Sequence, residues 1–475
     1  MLSRIMKFLN RQPELARLDA LARRRAGGLA VVYGRRRVGK TRLLLHWCDR
    51  HGGLYTVADQ SSADIQRRYF AQEVARRVSG FADVDYPDWR SLLDRLATEA
   101  RATSWRGPIV FDELPYLVLA SPEVPRVLQH WIDREAGDGG LVVAVAGSSQ
   151  RMMQGLTLSA DAPLYGRARE LLELCPLDAA HLPAALSTRS VIEQVEHYAA
   201  WGGIPRYWEL AADESGTPTR RIERLVLDPL GPLHREPDRL LLEEIPSAVE
   251  VRPLLDAIGA GAHRVSEIAG GVGRPATSMS RPLDRLIGMG LVRRELPFGE
   301  PEKKSRRSRY TIGDPFFRLW FRVVAPNRAT LAAGTSRTRR ELLGRFWPGL
   351  TATAWEELCR SRLARQARSA EPARSGPWKP AARWWKRNMV EWDIVAESTD
   401  GKKLLLGEVK WSRTAFSASA VARELRTLEA KPCPELSSRF AQHRIVRTLF
   451  VPEIAKGVRR RQGDCLVVTG RDLLS

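Results

Sequence analysis

The eight residues Gly34-Arg35-Arg36-Arg37-Val38-Gly39-Lys40-Thr41 carry the spacing GxxxxGK[ST], between the apolar run LAVVY and a stretch of helical periodicity. Glycines at those positions let backbone amides curl around a phosphate, and a helix starting at the lysine directs its positive end at the same group. On this reading Lys40 meets the β- and γ-phosphates and the Thr41 hydroxyl ligates Mg²⁺. The contacting set is Gly34, Arg35, Arg36, Arg37, Val38, Gly39, Lys40, Thr41 and Arg42, with Ser148 from a later strand end. About seventy residues downstream, Ile109-Val110-Phe111-Asp112-Glu113 reads as a buried strand ending in two carboxylates. Asp112 is expected to hold the magnesium and Glu113 to orient and deprotonate the attacking water. The competing reading of Asp112 is a helix cap.

Two further positions bear on the same chemistry. Ser148 and Ser149 end the apolar run LVVAVAGSS, where a small polar side chain senses a γ-phosphate or merely forms a turn. Arg167, in PLYGRARELLEL, is a candidate for stabilising transition-state charge, supplied in cis or in trans, against the alternative of a surface arginine.

A second constellation lies near the other end of the chain. Glu391-Trp392-Asp393 opens an apolar strand, Asp400-Gly401 marks a turn, and Leu404-Leu405-Leu406-Gly407-Glu408-Val409-Lys410 follows. Alternate residues on a strand share a face, so Glu408 and Lys410 point the same way. In a metal-dependent phosphodiesterase site Asp393 and Glu408 would bind magnesium, Lys410 would position or activate water, and Glu356 or Glu357 would complete the acidic set. A half-buried strand with a wet charged face gives the same letters.

The elements that position these residues follow from periodicity. From Gly28 to Leu177 short apolar runs alternate with amphipathic stretches, which indicates a parallel sheet with helices on both faces. The boundaries expected are 1–178 for this phosphate-binding core, 179–245 for a helical lid and linker, 246–330 for a winged helix, and 331–475 for an α/β domain. In the winged-helix segment PATSMSRPLDRLIGMG is the expected recognition helix, with Ser278, Ser280, Arg281 and Arg285 facing a groove, although Pro282 should kink or end it. The wing LPFGEPEKKSRRSRY holds Lys303, Lys304, Arg306, Arg307 and Arg309, five basic positions of seven, suited to phosphate contact. Solvation of a charged loop, or protein contact through the same helices, is the competing reading. Arg360 to Gly376 looks like a loop. Between Leu358 and Val390 nine basic residues and one acid interleave with Trp378, Trp384 and Trp385, which either stack on bases or pack. Phe316, Phe317, Trp320 and Phe321 read as core.

Composition limits the class. Over 475 residues, 44% apolar and 28% charged describe a folded domain protein, and a formal charge of +21 favours a polyanion such as nucleic acid, with DNA the expected partner, or an anionic membrane face. No stretch reaches the roughly 18 apolar residues of a spanning helix, so no membrane contact and a cytoplasmic location are expected. Cys48, Cys175, Cys359, Cys433 and Cys465 form no CxxC pair and read as reduced thiols.

FLNRQPELARL, VVYGRRRVGKT, FDELPYL, AGSSQRMM, PLYGRARELLELCPL and WGGIPRYW together resemble the archaeal-type ATPases of the signal-transduction branch of the AAA+ superfamily. The triple arginine of the loop and the GGIP turn are distinctive; the GxxxxGKT spacing alone is not. The resemblance implies an α/β fold: a P-loop NTPase sheet with helical lid, a winged helix, and a C-terminal domain like the PD-(D/E)xK nucleases. It also implies ATP and Mg²⁺ as cofactors and ATP hydrolysis. A homo-oligomer or protein partner is left open, as is a non-enzymatic, nucleotide-gated regulator with an inactive nuclease-like domain.

Overall fold

In the first unit, Ile5–Leu177 with Ile204–Arg206, five strands form one sheet: β1 (Gly28–Tyr33), β2 (Leu54–Val57), β3 (Ile109–Asp112), β4 (Val142–Gly147) and β5 (Ala168–Glu173). The computed structural model describes residues 8–138, 140–148, 150–158, 162–244, 248–302, 307–365 and 376–474. All pairings in this sheet are parallel and the order is β2-β3-β4-β1-β5. Strands covered by helices on both faces have no wet side, which is why β1 and β4 are continuous apolar runs rather than alternating ones. Leu29, Ala30, Val31 and Val32 are fully buried.

The helices α1 (Gln12–Ala22), α2 (Lys40–His51), α3 (Ala63–Ala75), α4 (Trp89–Ala102), α5 (Leu114–Ala120) and α6 (Val124–Asp138) accompany the sheet, with a shorter one, Gln150–Met153, after β4. Asp88 starts α4 by accepting from the Ser91 amide at 2.8 Å. Its first residue, Trp89, is buried edge-on to Phe70, which stacks on Phe111 of β3 with centroids 5.1 Å apart. Truncating such a buried aromatic removes about 3–5 kcal/mol, so this cluster anchors the acidic strand to its covering helices.

The second unit, Asp178–Gly203 with Tyr207–Ser475, begins with short helices, including Val191–Trp201, whose cap Ser190 accepts from the Glu193 amide at 3.1 Å. Helices Ala248–Ala260, Val265–Val272 and Ser280–Gly288 then lead into the antiparallel ribbon β6 (Val292–Glu295) and β7 (Arg309–Ile312). Pro282 does not kink its helix. It stands in the first turn, where a missing amide hydrogen breaks no helical bond. Phe316, Phe317, Trp320 and Phe321 are core, at most 1% exposed.

The helix Ser336–Leu363 continues through the start of the expected loop at Arg360, while 366–375 lie outside the described residues. A six-stranded mixed sheet closes the chain: β8 (Ala382–Trp384), β9 (Trp392–Glu397), β10 (Lys403–Val409), β11 (Arg444–Val451), β12 (Arg461–Gln462) and β13 (Cys465–Thr469), ordered β12-β13-β11-β10-β9-β8. β9 and β10 are antiparallel with Gly407 opposite Ile394, joined by a turn in which Gly401 takes φ +69° and Asp400 accepts from the Lys402 amide at 3.1 Å. Trp378, Trp384, Trp385 and Trp392 are buried, so packing rather than base stacking accounts for them. Among the described residues no helix is long and apolar enough to cross a membrane.

Candidate functional sites

The loop after β1 is shaped by close approach. Gly34 has φ +146°, and a Cβ there would lie 2.5 Å from the Leu174 carbonyl oxygen, so no other residue fits. Arg37 and Gly39 also have positive φ, which turns the loop into the first turn of α2. Lys40 is buried and donates from Nζ to the carbonyl oxygens of Gly34 (2.8 Å) and Arg35 (3.2 Å), placing the ammonium across the loop. Arg36 donates to the Tyr116 hydroxyl at 2.8 Å.

β4 separates β1 from β3 in the sheet, yet the residues named from each side meet. Thr41 Oγ1 donates to Asp112 Oδ2 at 2.8 Å. Asp112 is 1% exposed; its other oxygen accepts from the Glu113 amide at 2.9 Å, so it does not act as a side-chain cap of α5. A hydroxyl and a carboxylate this close offer the oxygen ligands that a small hard cation takes when phosphates and water complete its shell. Glu113 sits in the left-handed region at φ +53°, and its carboxylate oxygens each lie 3.0 Å from Ser148 Oγ. Ser149 lies outside the described residues. Arg167 is engaged elsewhere: its guanidinium pairs with Asp133 of α6 at 2.9 Å and donates to the carbonyls of Pro163 and Tyr165.

Two contributors escaped the sequence reading. Tyr55, on β2 opposite Val110, donates its hydroxyl to Asp112 Oδ2 at 2.6 Å, and burial, then the Asp112 charge, keep that phenol protonated. Arg11, 7% exposed with φ +67°, donates to the carbonyls of Val38 in the loop and Cys175 after β5, both at 2.8 Å. Neither has a local motif; only strand register and a fold-back across more than 160 positions bring them in. Beside the loop, Phe8, Leu9, Arg11, Arg42, Leu177 and Pro205 line a small cleft with Val38 and Gly39.

In the second unit, the β9–β10 register brings Asp393 beside Glu408. Asp393 Oδ2 accepts from the Val409 amide at 3.0 Å. Burial, with Glu356 and Glu408 nearby, raises its pKa to about 6. Glu356 is thus the third acid, because Glu357 pairs with Arg293 and Arg318 instead. Every acid except Asp393 also holds cationic side chains. Glu356 is paired by Arg383 and, at 3.4 Å, by Arg360; Glu408 is paired by Lys431 and, at 3.2 Å, by Lys410. Lys431, Arg383 and Arg360 were not singled out from the sequence. Among the described residues no three His, Cys, Asp or Glu side chains are placed to hold a metal ion.

Ser278, Ser280, Arg281 and Arg285 are exposed on or just before the helix Ser280–Gly288. Lys303, Lys304 and Arg306 lie outside the described residues. Arg307 pairs with Glu300, and Arg309 pairs with Glu391 while lying 4.6 Å over the Trp385 ring.

Residues 8–210 match a family described as an ATPase domain predominantly from Archaea, and residues 320–424 match one described as archaeal and bacterial proteins of unknown function. Over 410 residues the chain is 27% identical to the uncharacterized protein MJECL04 of Methanocaldococcus jannaschii, covering 85% of this chain and 87% of that one. Among solved structures the Walker-type ATPase PABY2304 of Pyrococcus abyssi superposes with a TM-score of 0.52 at 18% identity, over 68% of this chain and 98% of its own. Residues 8–210 thus have the fold of a P-loop ATPase domain and are similar to ATPase domains found predominantly in Archaea.

Proposed function

We propose that this chain binds and hydrolyses ATP with Mg²⁺ in the manner of AAA+ ATPases, and that nucleotide state acts on DNA through a winged helix and the C-terminal sheet domain. The observation that carries it is the 2.8 Å bond from Thr41 to Asp112, two side chains 71 positions apart that share one point beside Lys40. When bound, the ion supplies positive charge to the developing phosphoryl oxygens. Thr41 and Asp112 would hold it. Lys40 would exchange its two carbonyl acceptors for phosphate oxygens. Glu113 would accept a proton from water at a carboxylate oxygen, and Ser148 would fix the orientation of that group. Arg167 would have to leave Asp133 to reach a phosphate, in cis or in trans.

ATP turnover by the wild type, Lys40→Ala and Glu113→Gln tests this. The first variant should lose binding and hydrolysis; the second should keep binding and lose roughly 10²- to 10⁴-fold in rate. Equal rates in all three would overturn the reading.

The DNA-directed part rests on the +21 charge, the exposed Arg281 and Arg285, and the β9–β10 hairpin that sets Asp393 beside Glu408 and Lys410. A second reading, an inactive nuclease-like domain in a nucleotide-gated regulator that binds protein partners, is favoured by the cations paired with Glu356 and Glu408. An ion would have to displace Lys431 and Arg383 to bind there. Incubating supercoiled and linear DNA with Mg²⁺ or Mn²⁺, with Glu408→Ala as control, separates the two: cutting lost in the variant supports a nuclease, and uncut DNA throughout supports the regulator.

A further inference from the structure

Away from the acidic cluster's own carboxylates, the second unit holds a half-open cleft of about 360 Å³, lined chiefly by residues between 258 and 322 and by the helix Ser336–Leu363. That volume falls within the ~300–1,000 Å³ typical of small-ligand sites. Five arginines, Arg318, Arg322, Arg345, Arg360 and Arg383, line it against two carboxylates, Glu295 and Glu357. Arg318 is committed to Glu357, while Arg383 and Arg360 hold Glu356. Arg322 donates through Nη1 to the carbonyls of Gly259 and Ala260, and Arg345 is exposed on the long helix. Neither has a carboxylate partner among the described residues, so the wall carries excess positive charge.

Charge alone would describe a site for any anion. Two features narrow it. Phe346 and Leu350 provide an apolar surface, with the Arg322 guanidinium 5.7 Å over the Phe346 ring. On the same wall Glu357 Oε2 and Thr311 Oγ1 are buried with no hydrogen-bond partner, and Glu295 Oε2, ion-paired with Arg383 at 4.0 Å, accepts no hydrogen bond either. Buried oxygens that accept no hydrogen bond are costly and call for donors, which a bare phosphate dianion lacks and a nucleoside's hydroxyl and amino groups supply.

We propose that this cleft binds a phosphorylated nucleoside: the phosphate on Arg322 and Arg345, the base against Phe346 and Leu350, and nucleoside donors on Glu295 and Glu357. The ligand is either a free nucleotide or the phosphorylated end of a nucleic-acid strand. The site is independent of the phosphate loop, which lies in the other unit.

The test is equilibrium dialysis of labelled dAMP with the full chain carrying Lys40→Ala, so that the phosphate loop does not contribute. Saturable binding near one per chain is expected, weakened about tenfold or more by Arg345→Gln, since that change removes a charge-assisted contact. Thr353→Glu, which adds a negative charge to the same wall, should weaken it likewise, and thermal unfolding checks that both variants fold. Inorganic phosphate should compete at least tenfold less well. A 5′-phosphorylated dinucleotide that binds as well as dAMP, where its 5′-hydroxyl counterpart does not, identifies a strand end; binding of dAMP alone identifies a free nucleotide. No saturable binding of either probe, equal affinity in folded Arg345→Gln and Thr353→Glu, or phosphate competing as well as dAMP would each overturn the proposal. ATP turnover is not read, so the outcome is separate from that of the ATPase reading.

Discussion

Ser148 Oγ lies 3.0 Å from both carboxylate oxygens of Glu113, with the Ser148 amide 3.4 Å from one of them. The end of β4 therefore grips the second carboxylate of β3, and the serine that senses phosphate on the sequence reading is also a positioning residue for the proposed base. Ser148→Ala should lower the ATP turnover number by about 10- to 100-fold, part of the ~10²- to 10⁴-fold that a general base contributes, and leave the Kd for ATP within about threefold. Single-turnover rates beside a binding titration check this; a change in Kd alone would assign Ser148 to binding.

Tyr55 is the other group on Asp112. Its phenol donates to the same oxygen as Thr41, and burial holds it in the donor state. Tyr55→Phe removes a bond to a charged acceptor, worth about 1.5–3 kcal/mol, without changing ring packing. The Mg²⁺ concentration for half-maximal ATP turnover should shift by roughly tenfold or more, while the fold, followed by far-UV circular dichroism, is retained. An unchanged Mg²⁺ requirement would make the tyrosine a packing residue.

Gly407 sits where β10 passes under Phe450. A Cβ there would lie 2.7 Å from the ring edge and 3.0 Å from Ile394 Cβ, and both neighbours are fully buried. Gly407→Ala should destabilise the C-terminal sheet by about 1–3 kcal/mol through overpacking. Denaturant unfolding reads the loss, and ATP turnover should be unaffected.

Acid should weaken the second unit through His197. The ring is fully buried, Trp201 Nε1 donates to its Nδ1 at 3.1 Å, and burial, then the Arg221 charge, lower its pKa to about 3. Its unfolded pKa is about 6.5, so between the two the unfolded chain binds the extra proton. Stability is then intact above pH 6.5 and falls by up to about 1.4 kcal/mol per pH unit as pH drops toward 3. Hydrogen exchange of the helix Val191–Trp201 from pH 7 to 4 should show that slope, reduced in His197→Gln.

What was legible follows the range of the forces involved. The phosphate loop could be read because GxxxxGKT is local chemistry: each glycine answers to a backbone angle within eight residues. Asp393 beside Glu408 was legible because the Asp400-Gly401 turn fixes a register that periodicity can count. Arg11 and Tyr55 were not, because a guanidinium meeting Cys175 and a phenol meeting Asp112 depend on which strands become neighbours. Pro282 was misjudged since its effect depends on the helix start, which Met279 sets, and not on proline itself. The cations over Glu356 and Glu408 come from a helix, from β8 and from a residue after another helix, with no spacing to announce them.

The carbonyl of Leu174 leaves no room for a Cβ at Gly34, and the Leu174 amide bonds to the Tyr33 carbonyl at 2.7 Å. The phosphate loop is therefore clamped at its root. The span from Arg35 to Val38 is held at its far end as well, where Arg11 donates to the Val38 carbonyl at 2.8 Å. Fixed at both ends, the loop has its curvature set by folding.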